Sequence, residues 1–120
     1  MIAVIFEVWP AASQRETYLE IAAALKPLLE EIDGFISIER FESMLEPDKL
    51  LSLSFWRDEE SIQQWRAMEE HRTAQIIGRS HVFSNYRLRI AGVTRDYGMT
   101  AREEAPADSR AIHNSGSILV

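Results

Sequence analysis

The chain has 120 residues, of which 46% are hydrophobic and 27% are charged. This is enough for one domain with a single modest core, and the content of large apolar residues excludes intrinsic disorder. The absence of cysteine excludes a disulfide scaffold, a thiolate metal site, an iron–sulfur cluster and a cysteine nucleophile. The net charge is −6 and no basic stripe is visible, so we expect no nucleic-acid partner.

The N-terminal residues 2–9 are apolar and largely β-branched, and they end at Pro10, which predicts a first strand. Because the apolar character is almost continuous, we expect both faces of this strand to be covered. The run lacks a basic flank and is interrupted by Glu7, which is not typical of a signal peptide. No apolar run approaches the roughly 20 residues that span a bilayer. We therefore expect a cytoplasmic protein with no membrane partner.

A helix is predicted after this strand. Ser13 resembles an N-cap, and Glu16 three residues later would complete a capping box. The apolar residues that follow recur at helical spacing: Tyr18, Ile21, Ala22, Leu25, Leu28, Leu29 and Ile32. Pro27 lies inside this pattern and should kink or restart the helix, and Asp33-Gly34 should end it.

Two further strands are predicted to form a hairpin. Residues 35–43 alternate between polar and apolar and are rich in Ile and Phe. Residues 46–49, Glu-Pro-Asp-Lys, are typical of a turn. Residues 50–56 then predict the third strand.

The rest of the domain again places helix before strand. Asp58 is a plausible N-cap for a helix that bears Ile62 and Trp65, and a second helical stretch covers about residues 70–78. Residues 82–93 alternate and predict the fourth strand. The order βαββαβ is typical of an α+β fold, a ferredoxin-like protomer with an antiparallel sheet.

The composition changes near residue 97. We therefore divide the chain into a domain of residues 1–97 and a C-terminal tail of residues 98–120. The tail has little apolar periodicity, so we expect it to be extended or packed on a partner subunit.

Both faces of the predicted strands are apolar, whereas the helices of a ferredoxin-like unit cover only one face of its sheet. The other face needs a cover. A second copy of the same sheet would provide one, so we expect a homodimer with twofold symmetry.

The histidines are His71, His81 and His113, and their spacing matches no metal-ligand motif, so we expect no metal site. His71 follows Trp65 at the junction of two helical stretches, where a pocket mouth could lie. The alternative for His71 is a solvated or capping histidine. The alternatives for Trp65 are core packing and a wall for a flat ligand.

Glu7 interrupts an apolar strand and allows two interpretations. If it faces the helices, it is a buried carboxylate with a raised pKa that could act as a general base. If it faces the opposite side, we expect an ion pair with Arg87 or Arg89, and we prefer this second interpretation.

The chain resembles the antibiotic biosynthesis monooxygenase family over about residues 1–97. The resemblance is carried by the first strand, by Asp33-Gly34-Phe35, and by residues 53–60, Leu-Ser-Phe-Trp-Arg-Asp-Glu-Glu, which lead to Trp65 and His71. It implies a dimeric α+β barrel built from ferredoxin-like protomers.

The oxygenases of this family insert oxygen into polycyclic phenols or quinols without metal or flavin, because the enolate or phenolate of the substrate itself reacts with O2. The resemblance thus implies a cofactor-independent monooxygenase acting on a small aromatic or quinol-type molecule between the helices and the sheet. The implied catalytic groups are His71 and, less directly, Glu7. The implied walls are Trp65, Phe41 and Phe83.

Haem-degrading relatives instead hold haem through a His, helped by a Trp and an Asn. Trp65 matches that Trp, and His71 resembles that His at a shorter gap. Glu7 or a neighbour stands where the first strand would carry the Asn, so haem is disfavoured and we expect no cofactor. Two alternatives stay open: a non-catalytic dimer that binds a small ligand or haem, and a structural or regulatory dimer without ligand.

Overall fold

The computed structural model describes residues 1–77 and 81–114. Its strands are β1 (Ile2–Pro10), β2 (Phe35–Glu42), β3 (Leu50–Trp56) and β4 (Phe83–Gly92). Its helices are α1 (Arg15–Glu30), α2 (Glu59–Ala67), α3 (Glu69–Ile77) and α4 (Ala107–Asn114). None of the helices in these ranges is long and apolar enough to cross a membrane.

The strands form one antiparallel sheet in the order β2-β3-β1-β4. Helices α1, α2 and α3 lie over one face of this sheet. The arrangement confirms the predicted α+β, ferredoxin-like βαββαβ fold. No end of a predicted strand differs from the observed one by more than one residue.

Alternation along the central strand β1 separates its side chains between the two faces. Val4, Phe6 and Val8 belong to the core beneath the helices. Ile5 and Glu7 therefore point to the opposite face. The near-continuous apolar run of β1 thus reflects apolar residues on both sides of the sheet.

The start of α1 differs from the prediction. Ser13 has a φ of 65°, in the left-handed region, whereas an N-cap residue is typically extended. A turn precedes the helix, in which the Gln14 amide donates to the Ala11 carbonyl at 2.9 Å. Gln14 occupies the N-cap position, and its side chain makes no capping hydrogen bond. The predicted capping box of Ser13 and Glu16 is therefore wrong.

The end of α1 also differs. The helix continues through Pro27 to Glu30 without a restart. Pro27 lies in the last turn, so the backbone bond that a proline cannot make is lost close to the point where the helix ends. Gly34 then leads into β2 with a φ of +95°, a conformation that favours glycine.

Helices α2 and α3 meet at a single non-helical residue, Met68, whose backbone is extended (φ −65°, ψ 135°). Asp58 caps α2 as predicted, since its carboxylate accepts from the Ser61 amide at 2.9 Å and the Ser61 hydroxyl at 2.8 Å. The break at Met68 lets the start of α3 fold back toward the end of α2. This places His71 against Trp65.

The tail contains a helix that the sequence pattern did not predict. Residues 107–114 form α4, and the Arg102 guanidinium donates to the Ser109 carbonyl and hydroxyl oxygens at 3.2 and 3.1 Å. The described part of the tail is therefore not simply extended. Residues 115–120, including the apolar end of the chain, and the Gly78 end of the second helical stretch lie outside the described residues.

Candidate functional site

A cavity of about 310 Å³ lies between the helices and the sheet. Its wall on the helix side comes from α1, α2 and α3. The sheet side comes from the helix-facing residues of all four strands. The lining is mostly apolar, with a small number of polar groups, as is typical of sites for small molecules.

The floor of the cavity can be read from the strand register. Arg40 on β2 pairs with Ser52, Ser52 pairs with Phe6 on β1, and Phe6 pairs with Leu88 on β4. These residues form one row across the sheet. The β2–β3 end of the row is polar and the β1–β4 end is apolar.

The cavity is open along the edge strand β4. Its lining residues Tyr86, Leu88 and Ile90 are 42%, 47% and 39% exposed. Large side chains of the lining therefore remain exposed to solvent along this edge of the sheet.

His71 and Trp65 form the closest aromatic pair of the cavity wall. Their ring centroids are 4.5 Å apart and the planes are inclined by 20°, so the rings are stacked. The His71 Nδ1 lies 3.1 Å from the Trp65 carbonyl oxygen, which the Met68 amide also contacts at 3.2 Å. Because the chain bends at Met68, Trp65 contacts His71 twice, through the stacked rings and through the hydrogen bond at Nδ1.

This contact determines which nitrogen of His71 carries the proton. A carbonyl oxygen can only accept, so Nδ1 must be the donor in the hydrogen bond to Trp65. In the neutral ring, Nε2 is then the unprotonated nitrogen, which can accept a proton.

The neutral form of His71 is favoured. Burial lowers the pKa of the half-buried His71 imidazole below its usual 6.5. The hydrogen bond to the Trp65 carbonyl acts against this shift, and the positive charge of Arg66 adds to it. At neutral pH the ring is thus an uncharged base beside the cavity.

The other aromatic side chains of the cavity wall are held by contacts with their neighbours. Phe83 lies edge-on to Tyr18 and Phe6, with ring centroids 5.7 and 5.8 Å apart. Trp56, at the other end of the cavity, donates from its indole nitrogen to the Ser54 hydroxyl at 2.9 Å. These contacts hold the walls in place before any ligand binds.

Glu7 and Phe41 do not line the cavity. Both lie opposite Leu51 in the register, on the sheet face away from the helices. Their predicted placement beside His71 is therefore wrong, because strand alternation puts them on the other side of the sheet. Trp65, His71 and Phe83 do lie together around the cavity.

Glu7 instead forms the ion pair that we preferred. Its carboxylate contacts the Arg89 guanidinium and the Lys49 ammonium. Hydrogen bonds from Lys49 and Arg89 lower the pKa of the Glu7 carboxyl below its usual 4.5. This is the reverse of the raised pKa that a buried general base would need.

Several lining residues were missed by the sequence analysis. Among the polar ones, Arg40, Ser52 and Ser54 share the helix-facing side of β2 and β3. The signal was present, since Ser52 and Ser54 alternate with Leu51, Leu53 and Phe55 in β3. Which side of that alternation faces the helices could not be read from β3 alone.

The described residues were also considered as holders of a metal or haem. They contain no group of three His, Asp or Glu side chains placed to hold a metal ion. The β1 side chains that line the cavity are Val4 and Phe6, so this strand offers no amide toward it. The set His, Trp and Asn of the haem-degrading relatives is thus incomplete in this cavity.

The fold is that of a ferredoxin-like α+β protein with a mostly apolar cavity between its helices and its sheet. The family model for antibiotic biosynthesis monooxygenases matches residues 1–76, and the chain belongs to this family. A relative from Pyricularia oryzae (strain 70-15), named jasmonate monooxygenase ABM, is 51% identical over 94 residues, which are 78% of this chain and 44% of that protein. The chain thus spans less than half the length of this relative.

Two bacterial proteins are also similar to this chain. The uncharacterized protein YqjZ of Bacillus subtilis (strain 168) is 34% identical over 95 residues, which are 78% of this chain and 79% of that protein. A solved structure from Deinococcus radiodurans that carries the family name has a TM-score of 0.73 at 10% identity, over 82% of this chain and 97% of that chain. At this identity the likeness shows the fold alone.

Proposed function

We propose that the protein is a monooxygenase that oxidises a small aromatic or quinol-type molecule in the cavity between the helices and the sheet, with no metal, flavin or haem. The observation that carries this proposal is the state of His71. Its Nδ1 donates a hydrogen bond to the Trp65 carbonyl, the pKa of its imidazole is lowered by burial, and its ring lines the cavity. The Nε2 of this ring is unprotonated at neutral pH and can act as a base.

The chemistry that such a base supports is the removal of an acidic C–H or O–H proton from the substrate. The resulting carbanion or phenolate transfers electrons to O2 and forms a C–O bond to it. For an activated methylene, loss of water from the hydroperoxide then leaves a carbonyl, so that CH2 and O2 become C=O and H2O. The substrate supplies all the electrons, and the proton held by His71 returns to the departing water.

The walls of the cavity support this chemistry in two ways. Trp65 is 9% exposed and Trp56 is 2% exposed, and both shield the inner end of the cavity from water, which strengthens the contacts that stabilise a carbanion. The aromatic faces of Trp65 and Phe83 can hold a flat substrate in one orientation.

The comparisons suggest which substrates to test first. The Pyricularia oryzae relative is named a jasmonate monooxygenase, so jasmonate, an alicyclic keto acid outside the aromatic and quinol class, is a second kind of substrate to test. An anthrone represents the first kind, because its central methylene is acidic and oxidises by the route described above.

The experiment measures oxygen uptake by the full chain with anthrone and with jasmonate. His71→Phe keeps a ring to stack on Trp65 but removes the base, and we expect it to abolish enzyme-dependent uptake. His81→Phe is the matched control, because His81 is exposed and is not among the cavity-lining residues. Uptake that is unchanged in His71→Phe would contradict the role of His71. Haem addition is a separate test, and a Soret band that His71→Ala removes would contradict the proposal that no cofactor is used.

We further propose that the protein forms a homodimer through the sheet face opposite the helices. This helix-free face carries partly exposed apolar side chains: Ile5, Leu51, Leu53 and Phe55. Phe41, 42% exposed, continues it onto β2. A second copy that packs on this face would remove these side chains from water, which favours association.

A further inference from the structure

Arg40 is the one cavity-lining cation with a buried nitrogen and no partner among the described residues. It lies on β2 between the exposed Glu39 and Phe41, and strand alternation turns it toward the helices. Its Nε is buried and has no hydrogen-bond partner in the described part of the chain. A buried donor without a partner is unfavourable. The guanidinium is therefore ready to accept an anionic group from a ligand.

The other charged residues of the cavity lining are positive, like Arg40. Besides Arg40, its charged residues are Lys26 on α1 and Arg66 on α2, and no Asp or Glu is among the lining residues that the structure describes. This contrasts with the whole chain, whose net charge is −6. A site that collects cations on an acidic protein favours an anionic ligand.

The floor of the cavity indicates where the charge of such a ligand would lie. Ser52 is next to Arg40 in the same row, and its hydroxyl is a further donor on the polar side. Beyond Ser52 the row continues with Phe6 and Leu88 toward the open edge. With strands ~4.8 Å apart, the row from β2 to β4 spans about 14 Å. A ligand with its charged group at Arg40 would lay its apolar body over Phe6.

The planar fork of arginine matches one kind of anion well. Its parallel N–H groups bind a carboxylate through two hydrogen bonds at once. The surroundings are mostly apolar, and of the three lining cations only Arg40 is partly buried while Lys26 and Arg66 are exposed, which suits a single negative charge better than a phosphate. We propose that the cavity takes an apolar molecule that carries a carboxylate, and that Arg40 with Ser52 binds this carboxylate. This inference rests on the proposed function and names the class of its substrate.

The test compares two probes that share one apolar body, the anion 1-naphthylacetate and its uncharged amide, 1-naphthylacetamide. Titration calorimetry of the full chain should show tighter binding of the acid. Arg40→Gln should weaken the acid about tenfold or more and leave the amide almost unchanged. Arg40→Lys, which keeps the charge but not the fork, should recover part of the loss. Arg87→Gln, on the opposite face of β4 and with the same change in net charge, should have little effect.

Three results would overturn the inference. These are equal binding of acid and amide by the unaltered protein, an equal loss of both probes in Arg40→Gln, or an equal loss of acid binding in Arg87→Gln. If Arg40→Gln does not fold, the comparison of acid and amide in the unaltered protein and in Arg40→Lys decides. Because binding is measured without turnover, acid-selective binding can stand while oxygen uptake fails. Conversely, oxidation of the uncharged anthrone can stand while acid selectivity fails.

Discussion

The His71 ring stacks on the Trp65 ring at 4.5 Å, and its Nδ1 lies 3.1 Å from the carbonyl oxygen of the same tryptophan. One residue therefore fixes both the position and the tautomer of the histidine. A lone histidine on a helix is otherwise free to turn to solvent. This doubly held ring keeps His71 on the cavity wall and supports its proposed role as a base.

The protonation of His71 should follow from its surroundings. We expect NMR titration of the His71 ring to give a pKa below 6.5, because burial disfavours the charged ring. Activity that depends on its neutral form should rise with pH through that pKa and be constant above about pH 7. Since the folded pKa is below the unfolded one, this group also lowers the stability as the pH falls below 6.5. A titration at or above 6.5 would contradict the assigned environment.

Gly34 should not tolerate a side chain. Its φ is +95°, and a Cβ built on it would lie 1.9 Å from the Ser61 hydroxyl oxygen. We expect Gly34→Ala to lower the free energy of unfolding by ~2 kcal/mol from the backbone conformation alone, and by more from the clash. Urea denaturation measures the loss. The double variant Gly34→Ala with Ser61→Gly removes the clash but not the backbone strain, so it should recover only part of the loss. Full tolerance of the single variant would contradict the geometry of this turn.

The Asp58 cap should make α2 sensitive to acid. Hydrogen bonds from the Ser61 amide and hydroxyl, together with Arg57, lower the pKa of the Asp58 carboxyl from 3.8 to about 2. Its contribution to stability is therefore present above pH 3.8 and is lost as the pH falls toward 2. Asp58→Ala should lower the melting temperature by roughly 4 °C at neutral pH. Asp58→Asn, which still caps but does not titrate, should keep most of the melting temperature and flatten its dependence on pH in this window. An equal acid response of Asp58→Asn and the unaltered protein would contradict the assignment.

The proposed dimer can be tested on the helix-free face. Leu53 lies in the middle strand pair of this face and is partly exposed, so Leu53→Arg should leave the fold intact but place a charge in the interface. Light scattering should then give the mass of one chain, where the unaltered protein gives that of two. Met44→Arg is the control, because Met44 is 99% exposed in the loop between β2 and β3. A single-chain mass for the unaltered protein would contradict the dimer.

The sequence was sufficient for the fold because residues 35–43 and 82–93 alternate, residues 2–9 form an apolar β-branched run that ends at Pro10, and the turn at residues 46–49 joins two of the strands. It was less informative about the site. His71 and Trp65 were singled out by their place along the chain, and the resemblance to the family implied them and Phe83 as site residues. All three line the cavity, whereas Phe41, implied in the same way, lies on the other face of the sheet. An alternating strand has two faces, and the sequence pattern does not show which of them the helices cover. That face is known only once the helices are placed over the sheet.

Arg40 is the converse case, because it lines the cavity and was not predicted to do so. It lies between Glu39 and Phe41 in an edge strand, so the sequence suggests an ordinary solvated arginine. Only the register, which sets Arg40 beside Ser52 in the cavity floor, distinguishes it from other arginines. The helix α4 was missed for a different reason, because a helix of 8 residues is too short to establish a clear apolar period.

The most direct test of the account is oxidation of anthrone under ¹⁸O2, with the protein freed of metal by a chelator and checked for the absence of flavin and haem absorbance. We expect one labelled oxygen atom in the carbonyl of the product and the other in water, with a rate that His71→Phe reduces to the rate without protein. His81→Phe should be as active as the unaltered protein. Absence of labelled product, or equal labelling by His71→Phe, would contradict the central claim that His71 serves as the base of a cofactor-independent monooxygenase.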